Sequence, residues 1–310
     1  MKKQGKRPTI LSGILSILDK HLLLIAIVVG ILFYRQLSVL SPATPYLLSI
    51  MLYISYSRIT WRNIYLTRVH YILLGVQYLG SIAVYLLLKQ YNETLAQAAM
   101  ICVLAPTATS APVVVGILGG NVASAATFTL VSNLSVAFIA PVYLSFIGMS
   151  GNDVSFLTSF VYIVKKVVPI LILPFMLALF TQRTTPKFHE KVKSAQIVSF
   201  YIWAVALTIV ISGVVKFVAA QSSTNYLLEI LIAVASLLIC VFQFLFGRKI
   251  GSKHNATVTG GQGLGQKNTI LAIWLAQTYL NPLASLGPGL YVLWQNLANS
   301  YQIWRKKQKG

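Results

Sequence analysis

Apolar runs of close to twenty residues follow one another along the whole chain, separated by short polar or basic connections. "LLLIAIVVGILF" (22–33) and "VVPILILPFMLALF" (167–180) are typical. A helix needs about 20 apolar residues to cross a hydrocarbon core of ~30 Å. On that measure the pattern predicts ten spans: 21–39, 43–57, 69–88, 95–118, 121–148, 155–181, 194–218, 226–247, 257–279 and 282–304. The longest connection, "QRTTPKFHEKVK" (182–193), reads as a short basic loop, and no soluble domain is expected. The fold class is an all-α polytopic membrane protein.

Two of the ten spans are interrupted. The fourth holds "LAPTATSAPVVVGILGGN" (104–121), in which Pro106 and Pro112 bracket a small polar stretch. Each proline removes a backbone donor and disturbs the turn before it. The ninth holds Gly260, Gly261, Gly263 and Gly265, then Gln266, Lys267 and Asn268. Dividing the chain into 1–150 and 151–310 gives five spans per half, with the interrupted span fourth in each. Five is odd, so the second half enters the membrane with opposite orientation, as in an inverted repeat. The two broken helices are expected to cross near 106–112 and 260–266, and such matched breaks point to a transporter's binding site.

Composition agrees. Of 310 residues, 56% are hydrophobic and 10% charged, against about 25% charged in soluble domains. The net charge of +20 would suggest nucleic acid in a soluble protein, but the cations are sorted by side. Nineteen Lys and Arg fall on the face of both termini and five on the other, with Lys267 left over. The positive-inside rule then places both termini in the cytoplasm, as in a bacterial inner or plasma membrane. The basic residues read as topology anchors that touch anionic lipid, and no nucleic-acid partner is expected. Cys102 and Cys240 lack C-x-x-C spacing and read as inert core thiols. No cofactor is expected.

Three stretches, "APTATSAPVVVGILGGNVASAATFTLVSNLSVAFIAP", "GQKNTILA" and "GPGLYVLWQNLANSYQIW", resemble the bile acid:sodium symporter family. The resemblance extends over about residues 20–304. It implies two inverted five-helix repeats whose fourth and ninth helices are broken and cross, and transport of amphipathic organic acids with two sodium ions. Pro106, Thr109, Gly120 and Asn121 fit the family's frame at the first break. Asn268 takes an asparagine position at the second, Gln77 a glutamine position on the third helix, and Asn296 an asparagine position on the last. The sodium ligands depart from the pattern. The family's Ser-Asn pair reads Ala111-Pro112, one fifth-helix hydroxyl reads Ala125, the glutamate reads Gly263 and the glutamine reads Lys267. Thr129 and Gln77 remain as oxygen ligands. A hard cation needs several oxygens, so two-sodium coupling is not expected.

Lys267 raises its own question, because a charge at bilayer depth is expensive. All five carboxylates, Asp19, Glu93, Asp153, Glu190 and Glu229, fall at span ends or in loops. The expected compensators are carbonyls at broken-helix ends, the neighbours Gln266, Gln77 and Thr129, and cavity water. Three roles stay open: a fixed cation in place of sodium, giving uniport-like transport; a group that exchanges a proton each cycle; or a snorkelling side chain with no role. Thr109, Ser110 and Asn268, with Gln295 and Asn296 from the last span, are the expected contacts for a small organic anion. An enzyme is not expected. A buried Schiff-base lysine would need a carboxylate counter-ion, a hydrolase would need clustered His or carboxylates, and no P-loop is present. A transport-inactive binding homologue is the other alternative.

Overall fold

The computed structural model describes residues 10–59, 64–147, 155–220 and 225–309. Within them the chain is helical throughout: α1 (Ile10–Leu32), α2 (Tyr34–Leu37), α3 (Thr44–Tyr56), α4 (Arg68–Lys89), α5 (Glu93–Leu104), α6 (Ala111–Ile117) and α7 (Val122–Ile147). The series continues with α8 (Phe156–Thr184), α9 (Pro186–Ser194), α10 (Gln196–Ala219), α11 (Tyr226–Ser252), α12 (Thr257–Gly265), α13 (Thr269–Tyr279) and α14 (Leu286–Lys309). Among the described residues six helical runs are long and apolar enough to cross a membrane: Tyr34–Tyr56, α4, α7, α8, α10 and α11. Their outer faces carry large apolar side chains such as Leu79, Phe146 and Leu238, all exposed. Such faces suit lipid, and the backbone behind them is satisfied within each helix.

Helix starts are set by short polar side chains. Asn92, Ser155, Asn225 and Asn268 each accept a hydrogen bond from the backbone N–H three residues on, filling one of the orphan donors of a first turn. Three boundaries differ from expectation. The first helix begins at Ile10 and stops at Leu32, and Pro42 lies in a 3-10 turn, Ser38–Ala43, that leads into α3. The connection 182–193 is not a loop: α8 runs to Thr184 and α9 starts at Pro186, a residue favoured in a first helical turn. Only Thr185 between them leaves helical geometry, as the residue before a proline must. The expected division at 150/151 lies outside the described residues.

α1 packs on α10, α3 lies against α8 and α10, and α11 lies against α12, α14 and α5. The α11–α12 contact explains the glycines of the ninth span. A Cβ on Gly260 would stand 2.2 Å from the carbonyl oxygen of Gly247, and one on Gly247 would stand 2.2 Å from that of Gly260. A Cβ on Gly265 would enter the Phe244 ring. Gly247 and Gly260 therefore permit backbone-to-backbone packing, Gly265 makes room for a ring, and all sit inside intact helices. The expected break at 260–266 is displaced to 266–268 for that reason. At the far end of the bundle, the Lys306 ammonium donates to the carbonyl of Ile117 at 2.9 Å, tying the end of α14 to the end of α6.

Candidate functional site

The two interruptions meet as a single antiparallel bridge between Thr107 and Lys267. Ala108 N–H donates to the Gln266 carbonyl and Asn268 N–H to that of Pro106, both at 2.8 Å. Every other backbone group in the bridge finds a side chain or a neighbouring turn. Thr107 N–H donates to Ser132 Oγ at 3.2 Å and its carbonyl accepts from Asn133 Nδ2 at 2.9 Å. Lys267 N–H donates to Gln295 Oε1 at 2.8 Å, and its carbonyl accepts from Thr269 N–H. Non-helical backbone at membrane depth survives only when buried and satisfied in this way.

The carbonyl end of α5 receives the Lys267 side chain. A helix leaves its last carbonyls unpaired, and they carry partial negative charge. Here Cys102 O accepts from Gln243 Nε2 at 3.3 Å and Leu104 O from Gln77 Nε2 at 2.8 Å. Val103 O and Ala105 O both accept from Lys267 Nζ, at 2.8 and 2.9 Å. The lysine is 1% exposed, so it does not snorkel. Among the described residues the one ion pair is Lys193–Glu190, and Lys267 has no carboxylate partner. Its Nζ is met instead by the carbonyl end of a helix.

The other expected charge-site residues are arranged differently from the expectation. Gln77 does not touch Lys267; it fills the neighbouring carbonyl and accepts from Ser132 Oγ at 2.9 Å. The Thr129 hydroxyl is buried and makes no hydrogen bond. Gln266 donates from Nε2 to Ser110 Oγ at 2.7 Å, leaving its Oε1 buried and unpartnered. Gly263, where the resembling family has a glutamate, has no room for one as packed. A Cβ there would lie 2.9 Å from the Phe128 ring, and Phe128 is fully buried.

A cavity of about 450 Å³ opens beside the bridge and is lined by Thr109, Ser110, Gln266, Lys267, Asn268 and Asn296, with Gln295 also in its wall. Its remaining walls come from α3, Val113 and Val114 of α6, the first turns of α10 and the second half of α14. Of these, α3, α10 and α14 adjoin the basic connections, so the cavity lies on the cation-rich side of the crossing. Several lining groups are already committed: Asn268 Oδ1 caps α13, Asn296 Nδ2 donates to Val292 O, and Gln295 holds the Lys267 backbone. The Thr109 hydroxyl and the amide nitrogen of Asn268 remain for a ligand. A second cavity of about 570 Å³ adjoins the first and shares Ser55, Arg58, Thr109 and Val113 with it.

Sequence reasoning missed Ser132, which ties Thr107 N–H to Gln77, and also Gln243 and Arg58. Gln243 is one uncharged residue in an apolar helix, with no signal of its own beyond being polar there. Arg58, two residues past α3, is one of the cations that the charge sorting absorbed; partial burial draws its pKa down from the ordinary value. A cation directly at a span end, not further into a connection, was the available cue.

No curated protein matches the chain. The sequence model of the Sodium Bile acid symporter family matches residues 39–222, from the turn before α3 to just past α10 and across the first break of the crossing. The chain is a multi-pass membrane protein that belongs to the sodium bile acid symporter family, a family of transporters.

Proposed function

We propose that the chain is a secondary transporter of small or amphipathic organic anions, and that Lys267 stands where family relatives hold a cation. In this reading ten membrane segments form two inverted five-helix repeats, 1–150 and 151–310, with both termini cytoplasmic. Alternating access then occurs around the crossing. The observation that carries the reading is the Lys267 ammonium on Val103 O and Ala105 O, at a broken-helix end beside an open cavity. Half-helix carbonyl ends are where such carriers gather cations. A lysine there supplies the charge, while Ala111, Pro112, Ala125 and Gly263 supply no side-chain oxygen for sodium. Thr109 and Asn268 face the cavity and suit a carboxylate or sulfonate.

A proton-coupled variant of this reading has one observation in its favour. Lys267 makes two hydrogen bonds through Nζ, leaving one N–H over, and it belongs to the cavity wall. The test is uptake of radiolabelled organic acids into proteoliposomes, in Na⁺ or K⁺ medium, with a pH dye inside. Equal uptake in both media supports the sodium-independent reading, and co-entry of protons selects the variant. Uptake that requires Na⁺ overturns both, and absence of any uptake favours a binding homologue.

A further inference from the structure

The cavity beside the crossing needs a group that meets the substrate's negative charge, and Lys267 is poorly placed for it. Its ammonium is 1% exposed and spends two N–H donors on α5 carbonyls. Among the described residues lining either cavity, the other cation is Arg58. The Arg58 side chain makes no hydrogen bond or ion pair to a described residue, and the residue is exposed at the cavity rim, with its pKa drawn down by the neighbouring protein. It borders both cavities, together with Ser55, Thr109 and Val113.

The two cavities differ in character. The smaller one holds the polar side chains of the crossing. The larger one has an apolar stretch of wall, Pro112, Val113, Ile117, Val122 and Ala126, beside the hydroxyls of Ser55, Thr127 and Thr129, with Arg58 as its charged member. Cavities of this size bury most of a drug-sized ligand, with a few polar groups fixing its orientation. A guanidinium presents a rigid fork of donors that matches a carboxylate or sulfonate.

We propose that Arg58 recognises the anionic group of the substrate, and that the two cavities form one bipartite site. The anion sits between Arg58 and Thr109, and the apolar body extends into the larger cavity. The substrate class is a monoanion with one charged end and an apolar remainder. This rests on the transport reading, since it names the residue that orients that reading's ligand. The competing account has Arg58 as an interfacial cation whose partner is lipid phosphate.

The test uses the full chain in neutral detergent, with binding measured by calorimetry. The probes are butyrate, phenylacetate and cholate, each beside its uncharged amide. The expected result is that the parent prefers at least one acid over its amide. Arg58→Gln should weaken that acid about ten- to a hundredfold, the range for a hydrogen bond to a charged group, and leave the amide unchanged. Arg58→Lys should keep part of the preference, and it serves as the readout if Arg58→Gln is poorly folded. If Arg58→Gln retains the parent's preference, or changes only its response to added anionic lipid, the inference is overturned while the transport reading stands. If the parent binds none of the acids, both are overturned.

Discussion

Thr107 and Lys267 exchange the same contact across the crossing. The Thr107 hydroxyl donates to the carbonyl of Gly263, four residues before Lys267, at 2.6 Å. The Lys267 ammonium donates to the carbonyl of Val103, four residues before Thr107, at 2.8 Å. Each broken helix thus ends on the side chain of the other's break. The geometry is reciprocal and the chemistry is not: one end receives a hydroxyl and the other a lysine Nζ. That reciprocity supports the two-repeat reading.

Removing the charge should cost stability. Lys267→Met keeps most of the stem volume but leaves Val103 O and Ala105 O without a donor. Unmet buried polar groups cost ~1–3 kcal/mol each, so we expect a clear drop in melting temperature in detergent and loss of uptake. Lys267→Gln can reach one carbonyl and should melt between the two. A Lys267→Met protein that melts and transports like its parent would refute the tethered-cation account.

Thr107→Val tests the neutral arm. It strands Gly263 O, which should cost ~1–3 kcal/mol without touching any charge. Differential melts at two salt concentrations separate the arms. The Thr107→Val loss should be insensitive to salt, and a loss comparable to that of Lys267→Met would remove any special role for the ammonium.

Restoring sodium dependence should take more than the two obvious substitutions. Gly263→Glu with Lys267→Gln reinstates the family's polar pair, but the new Cβ would meet the Phe128 ring at 2.9 Å. We expect this double variant to be destabilised, and a trimmed ring, as in Phe128→Ala, to be needed before Na⁺ raises the melting temperature. Sodium stabilisation of the double variant alone would show that the ring yields easily.

The side on which the cavity opens can be read by labelling. Cys102 and Cys240 are both 1% exposed and form a silent background. Ser300→Cys lies in the cavity wall. It should react with a membrane-impermeant maleimide applied from the face of the termini, and labelling from the opposite face alone would contradict the proposed orientation.

Much of this was legible in the chain. Pro106 and Pro112 mark the first break because a proline cannot serve as a mid-helix donor, wherever it packs. Lys267 marks the second because a charge in an apolar run demands a partner. The four glycines misled, since a glycine that opens a helix and one that admits a neighbouring helix are the same letter. Only the position of Gly247 on α11 distinguishes them. Which carbonyls Lys267 meets was equally hidden. It depends on the register of two segments 162 and 164 residues apart in the chain, and Gln77 donates to Leu104 O instead.

The contact between Gly247 and Gly260 also has a mechanical consequence. Backbone lies on backbone there with no side chain between, so the joint has no rotamer with which to absorb a change in the spacing of the two helices. In the proposed transport cycle α12 would then travel with α11, carrying its half of the Thr107–Lys267 bridge. Any rearrangement that uncovers the cavity on its other side has to find its slack elsewhere. The seams available are those that α3 and α10 form with the crossing, where side chains and open volume separate the helices.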